Sequence, residues 1–460
     1  VRFHLDSLFN PRSVAVVGAS DDPAKLGFHV MKSLVEGGYR GLTWPVNPGR
    51  REVMGRPACS SVAQTPHPPD LAILVVPAAR VVDQVRMCAQ RGVRSIVIIS
   101  AGFKELDDAS GADLQDDVAR LATEARIPVV GPNTFGLVNL HAKLNASFTP
   151  QFSQLEPGHV TLLSQSGGMS HLLAFLGMGA GVGFSKVVGL GNRCNVEFAH
   201  LLEYLVEDPT TRVIAMYVEG LDAPRALLEE TRRLRGRKPM VIYKVGKGDV
   251  ADLASRSHTG SLAGRHELYQ GAFRQAGLLT ADSAEALLDA SVALARCPLP
   301  AGRRVAILSG QAGPAVAACD VCEAEGLAVI PFQSTTQEAI DQLLPPLAMR
   351  TNPVDMGPAW HDSVAMRAIV QVAMEAPDTD AILLLIMFAS ANEGVLRALS
   401  DLLTPRTPSK PIVACLSAPP GVWERELKDL VRDGALVNYP TPERAARALA
   451  FLWSAAGCGR

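Results

Sequence analysis

Ser13-Val14-Ala15-Val16-Val17-Gly18-Ala19-Ser20 is an apolar, β-branched run that stops on a glycine, and the chain repeats this design at short intervals. LTWPVNP (42–48), LAILVVP (71–77), SIVIISAG (95–102) and IPVVGPN (127–133) are further apolar runs closed by Gly, Ser or Pro. Helix-length segments separate them. Strand, small-residue turn and helix in alternation is the signature of a doubly wound parallel sheet.

The same rhythm restarts after Pro157 with HVTLLSQSGG (159–168), VVGLGN (187–192), VIAMYVEG (213–220) and PMVIYKVGK (239–247), and a helical stretch closes it near Ala295. Cys297-Pro298-Leu299-Pro300 reads as a connector. Beyond it, RRVAILSGQAGP (303–314), LAVIP (327–331), AILLLIMFA (381–389), PIVACLS (411–417) and ALVNYP (435–440) start a third unit. At 460 residues the chain has room for about three domains. The expected α/β units cover 1–142, 150–296 and 301–460. Two of their starts resemble each other, Val160-Thr-Leu-Leu-Ser164-Gln-Ser-Gly-Gly168 and Val305-Ala-Ile-Leu-Ser309-Gly-Gln-Ala-Gly313.

The composition, 48% hydrophobic and 20% charged with a formal net charge of -2, gives no general attraction to nucleic acid or to an anionic membrane. Any polyanion site must be local. No apolar run reaches the roughly 20 residues of a membrane span, and the first twenty residues carry no signal-peptide pattern, so a cytoplasmic protein is expected. The eight cysteines are scattered, which suits a reducing compartment. Cys319 and Cys322 form a CxxC inside an Ala-rich helical stretch with no second pair, a setting that favours packing; no metal site is expected.

Ligands of open parallel sheets bind beyond the carboxyl ends of the strands, where a Gly-rich turn lets phosphate approach helix amides. Gly18-Ala19-Ser20 occupies the first such turn, followed by a loop too long for a dinucleotide fingerprint and without GxGxxG. Where an NAD site has an acid after the second strand, this chain has Asn47-Pro48 and then Arg50 and Arg51. Those cations suit a phosphorylated ribose, as in NADP or in the 3'-phosphorylated adenosine of coenzyme A; the missing glycines favour coenzyme A. Pro77, Ser100-Ala101-Gly102-Phe103 and Gly131-Pro132-Asn133 end later strands on the same edge.

In the second unit, Ser164-Gln165-Ser166-Gly167-Gly168 leads from strand into helix, where free amides and the helix dipole suit a phosphoryl group. Ser255-Arg-Ser-His258-Thr-Gly-Ser-Leu-Ala-Gly264 sets a histidine among small polar residues with no apolar periodicity. A histidine that an anion must approach needs that space; a structural histidine is the alternative. Glu219 ends the strand VIAMYVEG, where a carboxylate can orient one ring nitrogen, or simply cap a turn. Asn192, Asn195 and Glu197 in GNRCNVE lie in a loop that borders an acyl site or only caps itself.

Taken in order, SLFNPRSVAVVGASDDPAKLGFHVMKSL, WPVNP, SAGFKE, GPNTFGLVN, LLSQSGGMS, VGLGNRCNVEFAHLLEYL, YVEG, SRSHTGSLAG and TNPVDMG resemble the ADP-forming acetyl-CoA synthetase family, relatives of succinyl-CoA synthetase. The resemblance spans nearly the whole chain. It implies a Rossmann-like CoA-binding domain followed by two flavodoxin-like ligase domains. It implies that His258 is transiently phosphorylated, that Glu219 orients it, and that Ser166, Gly167 and Gly168 receive the phosphoryl group. A second helix N-terminus, at Gln311-Ala312-Gly313-Pro314, is implied on the same phosphate, although relatives have a more Gly-rich turn there. Gly18, Ser20, Lys25, Asn47, Pro77, Ser100, Phe103 and Asn133 are implied in the CoA groove.

The family also requires an ATP-grasp module that holds ATP or ADP and Mg2+, and three α/β units leave no room for one. The chain is therefore expected to be the larger subunit of a two-chain enzyme, or a piece of a fused one, in a heteromer with an ATP-grasp partner. The implied reaction is acid + CoA + ATP ⇌ acyl-CoA + ADP + phosphate, through an acyl phosphate and phosphohistidine, on a small carboxylic acid. Two other readings stand beside it: a non-catalytic CoA-sensing or scaffold protein, and an NADP-dependent oxidoreductase that leaves two domains idle.

Overall fold

The computed structural model describes residues 2–106, 109–248, 250–251, 266–346, 349–359, 361–403, 409–432 and 434–458. Compactness divides the chain into two units, Val1–Ala284 and Glu285–Arg460.

The first unit holds two sheets. Strands β1 (Ser13–Val17), β2 (Leu42–Val46), β5 (Leu71–Leu74), β6 (Ser95–Ile98) and β7 (Val129–Val130) pair in parallel in the order β2-β1-β5-β6-β7. A small hairpin, β3 (Glu52–Val53) and β4 (Arg56–Pro57), interrupts the crossover to β5. Every residue of β1, β5 and β6 is buried, as expected of strands covered by helices on both faces. The strand order reverses between β1 and β5, so their carboxyl ends, at Gly18 and Val75, flank the switch point where α/β sheets open a crevice.

The second sheet runs β14 (Leu279–Ala281), β13 (Met240–Lys244), β12 (Val213–Val218), β10 (Pro157–Ser164), β11 (Phe184–Gly189), β8 (Gly136–Asn139), β9 (Leu144–Ser147). Its five central and distal strands repeat the topology of the first sheet. The hairpin of β8 and β9 adds an antiparallel edge: Lys186, Val187 and Val188 pair with Asn139, Val138 and Leu137. GLVN thus belongs to the second sheet, because the turn around Asn133, at φ +58°, carries the chain out of the first. At the far end of β11 the buried Lys186 Nζ lies 2.5 Å from Asp208 and bonds Ser185 and Thr210 hydroxyls. Burial raises the Asp208 carboxyl, but Lys186, Thr211 and Thr210 outweigh it and hold the group below the usual carboxylate range.

The second unit carries β15 (Val305–Ser309), β16 (Val354–Asp355), β17 (Ala381–Met387), β18 (Ile412–Ser417) and β19 (Val437–Asn438), parallel in the order β16-β15-β17-β18-β19. Asn352 accepts from the Ile307 amide and donates to the carbonyls of Val305 and Ile330, closing the edge beside the short β16. Arg444 of the helix Pro442–Cys458 grips both carboxylate oxygens of Asp289 at 2.8 Å. Cys322 of the CxxC is fully buried on the helix Ala312–Ala324, and burial pushes its thiol up to about 12. Among the described residues no helix is long and apolar enough to cross a membrane.

Candidate functional site

At the first switch point, Gly18 sits at φ +93°, and a Cβ there would stand 2.5 Å from the Val75 carbonyl oxygen. Gly27, in the helix Leu26–Glu36, brings a virtual Cβ within 2.0 Å of the Gly18 oxygen. Two glycines therefore let strand, turn and helix close upon one another. Asn47 Nδ2 donates to the Ala19 carbonyl at 2.8 Å and its Oδ1 accepts from the Gly49 amide at 2.8 Å, so this side chain ties the turns after β1 and β2 together. Ser20 Oγ is buried and accepts from the Asp22 amide. Lys25 is exposed at the start of its helix, as are Arg50 and Arg51 at the tip of the next loop. Pro77 opens the helix Ala78–Arg91, and Ser100 Oγ donates to the Val76 carbonyl. Phe103, expected in the same groove, is fully buried in the core under the sheet.

Where the two sheets of the first unit meet, a cavity of about 370 Å³ opens. Ile99, Ala101 and Asn133 line it from the first sheet; Gln165, Ser166, Gly167, Gly168, Arg193 and Glu219 line it from the second. Ser166 caps the helix Gly167–Gly179, its Oγ accepting from the Met169 amide. Gly167 and Gly168 are exposed, and a Cβ built on either meets nothing within 4 Å. Packing does not demand these glycines, and glycine in a helix costs up to about 1 kcal/mol against alanine. The open space, the free amides and the helix dipole at this turn suit an anion.

Glu219 lines the cavity from the end of the neighbouring strand β12. Gln165 Oε1 accepts from the Glu219 amide at 2.9 Å and the Gly220 amide at 3.0 Å, and Tyr217 donates to Glu219 Oε1 at 3.4 Å. Asn133 Nδ2 donates to Asn192 Oδ1, and Asn192 donates to Glu105 and Gln115. Burial raises Glu105, but the bonds from the Gly102 amide and Asn192 prevail and hold it below the usual range. Asn195 is spent on backbone, accepting from Val129 and donating to Ile127. Glu197 caps the helix Phe198–Glu207; burial pushes its carboxyl up against the pull of Arg193.

The structure thus gathers Asn133, Ser166, Gly167, Gly168 and Glu219 around one cavity, while Gly18, Ser20, Lys25, Asn47, Pro77 and Ser100 lie along the edge of the first sheet and do not line it. His258 lies outside the described residues. Gln165 and Arg193 were not singled out from the sequence. A second cavity, of about 490 Å³, lies at the opposite edge of the first sheet; its Arg12 and Arg94 are already engaged by the buried Asp70.

In the second unit, Ser309 Oγ donates to the Gln311 carbonyl at 2.6 Å, as Ser164 Oγ does to Ser166 at 2.9 Å. The internal similarity is therefore structural. Gln311 turns its amide to Met387, donating to its carbonyl and accepting from its N–H, both at 3.2 Å, and leaves the helix start uncapped by a side chain. Ala312 and Gly313 are exposed, and a Cβ on Gly313 meets nothing within 4 Å.

Comparison with known proteins follows the same lines. A CoA binding domain profile matches residues 12–139 and a succinyl-CoA ligase like flavodoxin domain profile matches 157–294. The alpha subunit of the ADP-forming acetate–CoA ligase II of Pyrococcus furiosus is 35% identical over 99% of both chains. The ADP-forming acetate–CoA ligase I of Archaeoglobus fulgidus is 37% identical over 97% of this chain and 63% of its own length. A dinucleotide-forming acetyl-coenzyme A synthetase 1 of Ca. Korarchaeum cryptofilum, solved with phosphate and ADP, superposes with a TM-score of 0.92 at 32% identity, covering 99% of this chain and 97% of that one. This identity, carried across both sheets of the first unit and through the second, places the chain in the family of ADP-forming acetate–CoA ligase alpha subunits.

Proposed function

We propose that this chain is the CoA-binding, phosphohistidine-carrying subunit of an NDP-forming acyl-CoA synthetase, catalysing acid + CoA + ATP ⇌ acyl-CoA + ADP + phosphate. The observation that carries the reading is the cavity lined together by the open Ser166-Gly167-Gly168 turn and by Glu219, at the carboxyl ends of neighbouring strands of the second sheet. The three divisions 1–142, 150–296 and 301–460 then carry CoA, the phosphoryl turn with His258, and the second phosphate-facing turn at Gln311-Ala312-Gly313.

In the acyl-CoA-consuming direction, phosphate held by the Ser166–Gly168 amides attacks the thioester carbonyl and expels the CoA thiolate, giving an acyl phosphate. A nitrogen of His258 then attacks phosphorus and the carboxylate leaves. Glu219 accepts a hydrogen bond from the other ring nitrogen and stabilises the cation that forms. ADP takes the phosphoryl group from His258. That last transfer needs a nucleotide and Mg2+ held in line. We assign this to an ATP-grasp partner chain, in keeping with the relatives named as alpha subunits and with the longer single-chain relative. At the first switch point, Gly18, Ser20, Lys25, Asn47, Pro77 and Ser100 contact CoA, with Arg50 and Arg51 beside its ribose phosphate. The use of ATP and CoA supports reading the protein as cytoplasmic.

The test is reconstitution. The chain alone should form no acyl-CoA from ATP, acid and CoA, and should do so once an ATP-grasp subunit is added. ATP-dependent synthesis by the chain alone would refute the division of labour. Calorimetry that shows NADP bound tighter than CoA would refute the ligand assignment.

A further inference from the structure

The loop after β12 carries Glu219, and two buried side chains hold it from opposite sides. Gln165, 8% exposed, accepts from the amides of Glu219 and Gly220. From the other side the Arg193 guanidinium, its side chain 1% exposed, donates to the Gly220 carbonyl at 3.0 Å and to Asp222 Oδ2 at 2.8 Å, with Glu197 3.4 Å from its Nε. Both polar groups of the Gly220 peptide are therefore taken by side chains, and the Glu219 backbone has little freedom to shift.

Arg193 itself sits at φ +56°. A non-glycine residue there costs about 1–2 kcal/mol, and a glycine would remove that cost while losing the guanidinium. Its charge lies between two carboxylates, one of which Glu197 contributes from a helix cap, so the strained backbone and the buried charge serve the same contact.

We infer that Arg193 is a positioning residue for the Glu219 carboxylate: it clamps the 219–222 loop so that the carboxylate points into the phosphate cavity. The inference rests on the function proposed above. Lysine in its place keeps the charge beside Glu197 and Asp222 but lacks the planar fork that reaches the Gly220 carbonyl at the same time. The carboxylate then drifts. A displacement of an ångström costs a positioned group on the order of a hundredfold in rate.

The test is a double-mutant cycle on the full chain with 32P-labelled acetyl phosphate, reading the rate of acid-labile protein labelling, with CoA affinity as a control. Arg193→Lys should slow labelling roughly ten- to hundredfold while CoA affinity stays within about twofold. Glu219→Gln should slow it comparably, and the double variant should be no slower than the slower single, because Arg193 acts through Glu219. Arg193→Lys labelling at the parental rate would overturn the clamp. So would slowing that multiplies in the Glu219→Gln background, since that is how independent damage to the fold behaves. A parent chain that takes no label would overturn the proposed function and the clamp with it. If Arg193→Lys fails to fold, R193Q/E197Q, which removes the guanidinium together with the more buried of its two carboxylates, goes through the same cycle with the same deciding outcomes.

Discussion

Replacing Gly167 or Gly168 by alanine separates stability from function. Neither residue takes a positive φ, and an added Cβ at either meets nothing within 4 Å, so the protein accommodates the methyl group without strain. Both lie in the first turn of the helix Gly167–Gly179, where alanine restricts the unfolded chain more than glycine does. Each substitution should therefore stabilise the first unit by roughly 0.5–1 kcal/mol, raising its thermal midpoint by about 1–3 °C. The same methyl is added at the lining of the 370 Å³ cavity, beside the amides proposed to receive the phosphoryl group. Phosphate affinity and labelling from acetyl phosphate should fall by at least about tenfold, the loss of one good hydrogen bond to an anion. Scanning calorimetry and equilibrium dialysis with labelled phosphate read the two effects separately. Unchanged phosphate affinity with the stability gain intact would show that the turn is not the anion site. A loss of stability would show that the glycines serve the fold.

Gly27→Ala should do the reverse. Its Cβ would stand 2.0 Å from the Gly18 oxygen, a contact only backbone movement can relieve, so the first unit should lose more than about 2 kcal/mol and CoA binding with it, read by calorimetry. Asp208→Asn leaves Lys186 buried without its counter-charge and should cost about 3–5 kcal/mol at neutral pH. Because the folded carboxyl titrates below its unfolded value, its contribution is present above about pH 4 and fades as pH falls through the depressed folded value. Chemical denaturation at a series of pH values should show that acid-linked loss in the parent and a flatter profile in the variant.

The repeating strand-turn-helix units were legible because buried parallel strands leave continuous apolar runs, and Gly18 and Ser164–Gly168 stand where those runs stop. The comparisons bear out the family, the fold class and the ligase reading. The hairpin of β8 and β9 was not legible: GLVN is buried throughout, and nothing local says which sheet will pair with it. The burial of Phe103 was not legible either. The residue follows a strand end, as a ligand contact would, but the turn at Gly102, φ +108°, folds the ring under the sheet. Gln165 and Arg193 act through side chains that reach 27 to 55 residues along the chain, to Gly220, and no spacing rule finds such contacts. Asn195 and Glu197, which were open between an acyl site and self-capping, are spent on backbone and on a helix cap.

The central claim is that His258 carries the phosphoryl group that the Ser166–Gly168 turn is proposed to receive. Its most direct measurement is incorporation from labelled acetyl phosphate into the full chain, with the product tested for acid lability and alkali stability and the labelled peptide sequenced. The expected result is about one label per chain on His258, abolished in His258→Ala and slowed in Glu219→Gln. Equal labelling of His258→Ala and the parent would contradict it.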